Sequence, residues 1–80
     1  MISIKNIKFK TQMVSVWQDD WIKDIDFPKS TQELSSDFQY YFIVEGTVEN
    51  LPPYYCKIKI EENNYIEIKK IYNYLLTNRK

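Results

Sequence analysis

The feature that most restricts the fold is a period-two alternation running from Phe38 to Ile60, broken once at Asn50-Leu51-Pro52-Pro53. Before the break, Phe38, Tyr40, Phe42, Val44 and Val48 alternate with Gln39, Tyr41, Ile43, Glu45, Thr47 and Glu49. After it, Tyr54, Cys56, Ile58 and Ile60 alternate with Tyr55, Lys57, Lys59 and Glu61. Successive side chains of a strand point to opposite faces, so aromatic and β-branched residues on one parity describe strands buried on one side only. Proline has no N–H to give to a ladder, so the break ends one strand and the pattern predicts a β-hairpin. Its inward parity carries Phe42, Val44, Cys56 and Ile58, and its outward parity carries Tyr41, Ile43, Tyr55, Lys57 and Lys59.

After Glu61-Glu62-Asn63-Asn64 the period changes. Tyr65, Ile68, Ile71, Tyr72, Leu75 and Leu76 recur at helical spacing and leave Glu67, Lys69, Lys70 and Asn73 opposite. Asn64 with Glu67 forms an N-terminal capping pattern, and Arg79 and Lys80 suit the negative end of the helix dipole. A strand over Tyr65–Ile68 is the rival for the first turn. The helix is expected to lie across the sheet, with Ile68, Ile71, Tyr72, Leu75 and Leu76 against Phe42, Val44, Cys56 and Ile58.

Ahead of the hairpin, residues Ile2 to Trp17 contain no glycine or proline and are rich in β-formers, but their apolar parity switches twice. One long strand with bulges near Lys5–Asn6 and near Thr11–Met13 reconciles the pattern, and two short strands are the alternative. In the next segment Trp17, Trp21 and Ile25 are spaced four apart, which reads as a short helix capped by Asp19. Its rival is a hairpin turning at Gln18–Asp20, with Trp21, Ile25 and Phe27 on one face. Pro28 ends either form, and Ser30-Thr31-Gln32-Glu33 suits a single helical turn within a polar connection. Gly46, the only glycine, marks a bulge or a close backbone approach.

These elements add up to one α+β domain over residues 1–80: an antiparallel sheet of three or four strands with a C-terminal amphipathic helix packed on one face. A chain of 80 residues lies near the lower limit for folding without staples, and 44% hydrophobic residues supply one core. Seven tyrosines cannot all hide their hydroxyls, so several belong at the core boundary or the surface.

Composition removes most catalytic classes. There is no histidine, hence neither the usual general base near neutral pH nor the commonest metal ligand. The single cysteine, Cys56, forms no internal disulfide and no zinc site, and its parity makes it a structural thiol. Gly46 stands alone within a strand, so no glycine-rich loop cradles phosphate. The reading is therefore a non-enzyme without cofactor or metal. With lysines spaced through MISIKNIKFK and no long apolar run, neither a signal peptide nor a membrane span is expected, and a cytoplasmic location is the default.

Three functional readings remain. The net charge is zero, yet Met1–Trp17 carries +3, Gln18–Asn50 carries −6 and the rest carries +3. Asp19, Asp20, Asp24 and Asp26 lie in the acidic middle; on a short helix Asp20 and Asp24 share a face and would suit a magnesium ion, the basis for a remote metal-dependent nuclease. Tyr41 and Tyr55 beside Lys57 and Lys59 on an outward sheet face suit base stacking with phosphate neutralisation, the basis for a single-stranded nucleic-acid-binding domain. Against that stand Ile43, Glu45 and Glu61 on the same face. The preferred reading is protein binding. Tyr41, Ile43 and Tyr55 form an apolar, aromatic patch with Lys57 at its rim, and Asp19, Asp20, Asp24 and Asp26 offer carboxylates to a basic groove on a partner.

In general character the chain resembles the small proteins of phages and mobile elements, anti-CRISPR and other anti-defence inhibitors among them. The shared traits are its length, its lack of catalytic apparatus, tyrosine-rich strands, an acidic segment, and an isoleucine, lysine, asparagine and tyrosine bias of the kind AT-rich codons produce. The resemblance is to a type and carries no residue-level motif. It implies a stoichiometric inhibitor of a bacterial nucleic-acid-handling complex that binds a host protein and blocks a nucleic-acid groove or a conformational step, with the acidic segment standing in for phosphates.

Overall fold

In a computed structural model the chain forms a four-stranded antiparallel sheet with one helix packed on it. The structure describes residues 4–18, 20–48 and 50–77. Strands β1 (Ile4–Ser15), β2 (Ile22–Ile25), β3 (Phe38–Val48) and β4 (Tyr54–Lys59) stand in the order β2-β1-β3-β4, followed by helix α1 (Tyr65–Thr77). This is the α+β arrangement that the alternation and the helical spacing predict. Asp19, Glu49, Arg79, Lys80 and the side chain of Val48 lie outside the described residues.

The β3–β4 hairpin pairs Phe42 with Ile58 and Val44 with Cys56, which puts both inward sets on one face. Phe42 is wholly buried there. Around it Phe27, Tyr40, Ile60, Tyr65 and Ile68 form the core, with Phe9, Met13, Val44, Ile58, Tyr72 and Leu75 packed against them. Much of this core is aromatic: the Phe27 ring meets Phe42 edge-on at 5.8 Å, and Tyr72 meets Phe42 edge-on at 6.1 Å. Rings so arranged gain quadrupole attraction beyond the area they bury.

The long first strand bends once. Lys5 pairs with Thr47 and Lys8 with Glu45, so Asn6 and Ile7 stand against Gly46 alone. Asn6 takes the left-handed backbone (φ 55°), a conformation asparagine tolerates better than most residues, and the bulge switches the apolar parity as expected. Gly46 thus marks the bulge. The second bulge, expected near Thr11–Met13, does not form: pairing with β3 runs unbroken from Lys8 to Ser15.

The short helix expected over Trp17–Phe27 is not formed either. The rival hairpin is. Thr11–Val14 pair with Ile22–Ile25, and the turn is held by Ser15, whose Oγ accepts from the N–H groups of Trp17 (3.1 Å) and Gln18 (3.2 Å). The Trp21 N–H donates to the Gln18 carbonyl at 3.0 Å. Strand pairing wins because it extends β1's own ladder and delivers Phe27 to the core, whereas a helix would need its own nucleus for barely three turns.

On α1 the buried stripe is Tyr65, Ile68, Tyr72 and Leu75. Ile71 and Leu76, expected inward, are 44% and 43% exposed, because the Phe27 and Tyr72 rings fill the space beneath the helix and leave the stripe narrow. Asn64 precedes the helix as expected, but its side chain turns back. Its Oδ1 accepts from the Glu61 N–H at 2.7 Å and its Nδ2 donates to the Lys59 carbonyl at 2.9 Å, tying β4 to the helix entry. The connection before β3 holds the expected turn, a 3₁₀ segment over Thr31–Glu33, with the Glu33 carboxylate accepting from the Lys29 N–H at 3.0 Å.

Candidate functional site

The helix, Phe27 and Leu34 all pack on one side of the sheet, and among the described residues no element lies over the other side. That helix-free face is built by register. Asp24, Gln12, Tyr41 and Lys59 make one cross-strand row; Lys10, Ile43 and Lys57 make the next; Lys8, Glu45 and Tyr55 make a third. Strands lie about 4.8 Å apart and same-face residues about 6.8 Å apart along a strand, so these side chains share one continuous surface.

The sequence-predicted residues fall on this surface in different ways. Tyr55 is 60% exposed. Tyr41 is half-buried: its hydroxyl donates to Gln39 Oε1 at 2.9 Å, and the Lys57 ammonium lies 4.5 Å from its ring centroid. A cation over the ring is attracted to its electron-rich face and occupies it. Ile43 belongs to the predicted face but is only 4% exposed, although no helix covers it. Lys10 and Lys57 flank it in register, and their aliphatic stems shelter it while the charged heads stay in water. Ile43 is therefore a floor, and beside it lies a shallow depression lined by Lys8, Phe9, Lys10, Ile43 and Glu45.

Of the acidic group, Asp24 joins the surface through β2, within 3.4 Å of the Gln12 side-chain amide. Asp20 sits exposed at the β1–β2 turn, Asp26 is exposed just beyond β2, and Asp19 is not described. Since the segment is a hairpin, the helical face that would have joined Asp20 to Asp24 does not exist. Among the described residues no three metal-ligating acidic or thiol groups converge, and no helix is long and apolar enough to cross a membrane.

Sequence reasoning missed Lys8 and Lys10 as members of this face. With Lys57 and Lys59 they set four ammonium groups against the carboxylates of Asp24 and Glu45. The missing signal was the pairing of β1 with β3, which sets Lys8 beside Glu45 and Lys10 beside Ile43; the alternation within β1 does not say which strand it neighbours. The same face ends in an apolar corner of Val14, Val16 and Ile22 beside Trp17, which is 79% exposed and donates through its indole N–H to Asp37 Oδ1 at 3.3 Å. Tyr54, on the opposite parity of β4, has its phenol held above the ordinary value, chiefly by its hydrogen bond to Cys56 and then by electrostatic repulsion between the two side chains.

No family model, no curated protein and no solved structure matches this chain.

Proposed function

We propose that this chain is a non-enzymatic protein-binding module whose working surface is the helix-free face of its sheet. The observation that carries this reading is the make-up of that face: an exposed tyrosine, a half-buried tyrosine and an apolar corner, set among lysines and two carboxylates, with no covering layer among the described residues. Aromatic residues at the centre and charge at the rim are what protein interfaces use for affinity and for selection of partners. In the resemblance to small phage and mobile-element inhibitors, the partner is a component of a bacterial nucleic-acid-handling complex.

Single-strand nucleic-acid binding is the second reading, favoured by Lys8, Lys10, Lys57 and Lys59. It needs rings whose faces are open to bases. Tyr41 has its face taken by Lys57 and Ile43 is sunk, which leaves Tyr55 as the one ring of the predicted patch that is mainly exposed. Glu45 beside Tyr55 and Asp24 beside Gln12 also repel phosphate. Protein binding fits better.

The test is affinity capture from bacterial host cells, with and without nuclease, using the native chain and the Tyr41→Ala and Tyr55→Ala variants. The expected result is a stoichiometric protein that survives nuclease and is lost with either variant. Recovery of nucleic acid, with proteins released by nuclease, would replace this reading with the second.

A further inference from the structure

Strand β4 lies at the edge of the sheet, and among the described residues nothing pairs with its outer side. The Ile60 N–H donates to the Tyr40 carbonyl at 2.7 Å, so the pairs of even-numbered β4 residues with β3 exchange hydrogen bonds. In an antiparallel ladder the alternate pairs direct their backbone groups away from each other. Tyr55, Lys57 and Lys59 therefore point their N–H and C=O groups outward. The Asn64 Nδ2 bond to the Lys59 carbonyl agrees with that direction and closes one end of the edge. Pro52 and Pro53 bound the other end. Among the described residues, what remains open is the N–H and C=O of Tyr55, the N–H and C=O of Lys57, and the N–H of Lys59.

The side chains beside these groups narrow what can pair there. Tyr55, Lys57 and Lys59 all project onto the helix-free face. The Lys57 ammonium lies over the Tyr41 ring with no carboxylate paired to it among the described residues, and the Lys59–Glu61 pair is long, at 3.6 Å, and half exposed. A second copy added antiparallel would bring lysines against lysines or tyrosines, and like charges directly opposite disfavour a pair. A strand with carboxylates on that parity has the complementary charge. On the other parity it would meet Cys56 and Ile58, which are half-buried and face the helix side. On the opposite side of the sheet the edge is split: β1 before Thr11 is interrupted by the bulge at Asn6–Ile7, which twists an edge away from pairing, and β2 (Ile22–Ile25) is only four residues long, a short edge that offers little to a partner strand.

Resting on the protein-binding reading above, we propose that β4 accepts an extended segment of the partner as a fifth strand, and that this segment alternates acidic with apolar residues. Main-chain bonds to Tyr55, Lys57 and Lys59 supply register, and the two lysines select acidic sequence, as in other strand-addition modes.

The probe is the blocked hexapeptide Glu-Val-Glu-Val-Glu-Val, with Lys-Val-Lys-Val-Lys-Val as its counterpart, read by amide NMR shifts and hydrogen exchange of the full chain. The expected result is perturbation centred on the Tyr55, Lys57 and Lys59 amides, at least tenfold tighter for the acidic peptide. K57E/K59E should reverse that preference. Lys57→Pro should keep the circular dichroism of the native chain, since the lost N–H faces outward on an edge strand, and should abolish binding. Lys57→Ala, which removes the charge alone, should weaken binding without abolishing it. Equal binding of the two peptides, shifts centred elsewhere, self-association through the same amides, or binding of oligothymidine there while both peptides stay inert would each overturn the proposal. A partner captured equally by native chain and Lys57→Pro, but lost with Tyr55→Ala, would overturn the strand addition while leaving the binding face intact.

Discussion

Phe27 and Tyr72 stack face to face, their ring centroids 4.7 Å apart and their planes 15° from parallel. One lies just past the end of β2 and the other on the inner stripe of α1, so the stack joins the β1–β2 hairpin to the helix. Phe27 also meets Phe42 edge-on and Tyr65 at 5.8 Å. Truncating it would remove ring contacts to both layers at once.

Phe27→Ala is accordingly expected to cost about 3–5 kcal/mol, the range for deleting a buried aromatic ring. A domain of this size holds roughly 4–12 kcal/mol in total. The variant should therefore unfold at much lower urea than the native chain, while Phe27→Leu retains a larger share of stability. A midpoint unchanged in Phe27→Ala would show that the stack does not join the layers.

The connection before β3 is held by two tyrosine hydroxyls. Tyr65 donates to the Pro28 carbonyl at 2.6 Å in a buried setting. Tyr40 donates to the Glu33 carbonyl and accepts from the Ser35 N–H, both at 3.2 Å. Tyr65→Phe keeps the ring and should cost about 1–3 kcal/mol, because the buried carbonyl loses its partner. Tyr40→Phe should cost less, its bonds being longer and partly wet, but should raise protease cleavage between Lys29 and Asp37. Equal cleavage of Tyr40→Phe and native chain would count against a role in fastening that loop.

The β3–β4 hairpin was legible because alternation over so many residues, interrupted by paired prolines, has one structural solution. The β2 segment was not. Trp17, Trp21 and Ile25 are four apart, and four is both two strand periods and close to one helical turn. Phe27 is the discriminating residue: six from Trp21, it keeps strand parity but falls far from the helical face. On the candidate site, Tyr41, Tyr55 and Lys57 could be placed from the hairpin alone. Lys8 and Lys10 could not, since their place beside Ile43 and Glu45 depends on β1 pairing with β3, and the sheltering of Ile43 depends on which lysines flank it across strands. Asn64 shows a further limit: the capping pattern found the right residue, but its side chain serves the preceding strand.

Asn64→Ala is expected to lose both of those bonds and about 1–2 kcal/mol of stability. It should also free the Lys59 carbonyl and lengthen the open edge of β4. Amide exchange at Glu61 should quicken while that of Ile68, whose N–H donates to the Asn64 backbone carbonyl at 3.0 Å, should change much less. Asn64→Asp keeps an acceptor for the Glu61 N–H but not the donor to Lys59, so it should fall between. Faster exchange along the whole helix would mean that Asn64 nucleates α1 instead of fastening β4.

Ile43 and Tyr55 lie on the same face in adjoining rows, yet their burial assigns them opposite roles. Ile43 is 4% exposed under lysine stems, and Tyr55 is 60% exposed. Ile43→Ala should therefore destabilise the fold by about 2 kcal/mol, near the low end for truncating a buried aliphatic side chain because its cover is flexible. Tyr55→Ala should stay within about 0.5 kcal/mol of the native chain, as surface changes do. Urea unfolding of both variants, run beside partner capture, separates folding from binding on this surface. If Tyr55→Ala proves the more destabilising of the two, the tyrosine is a structural residue and the face loses its best contact.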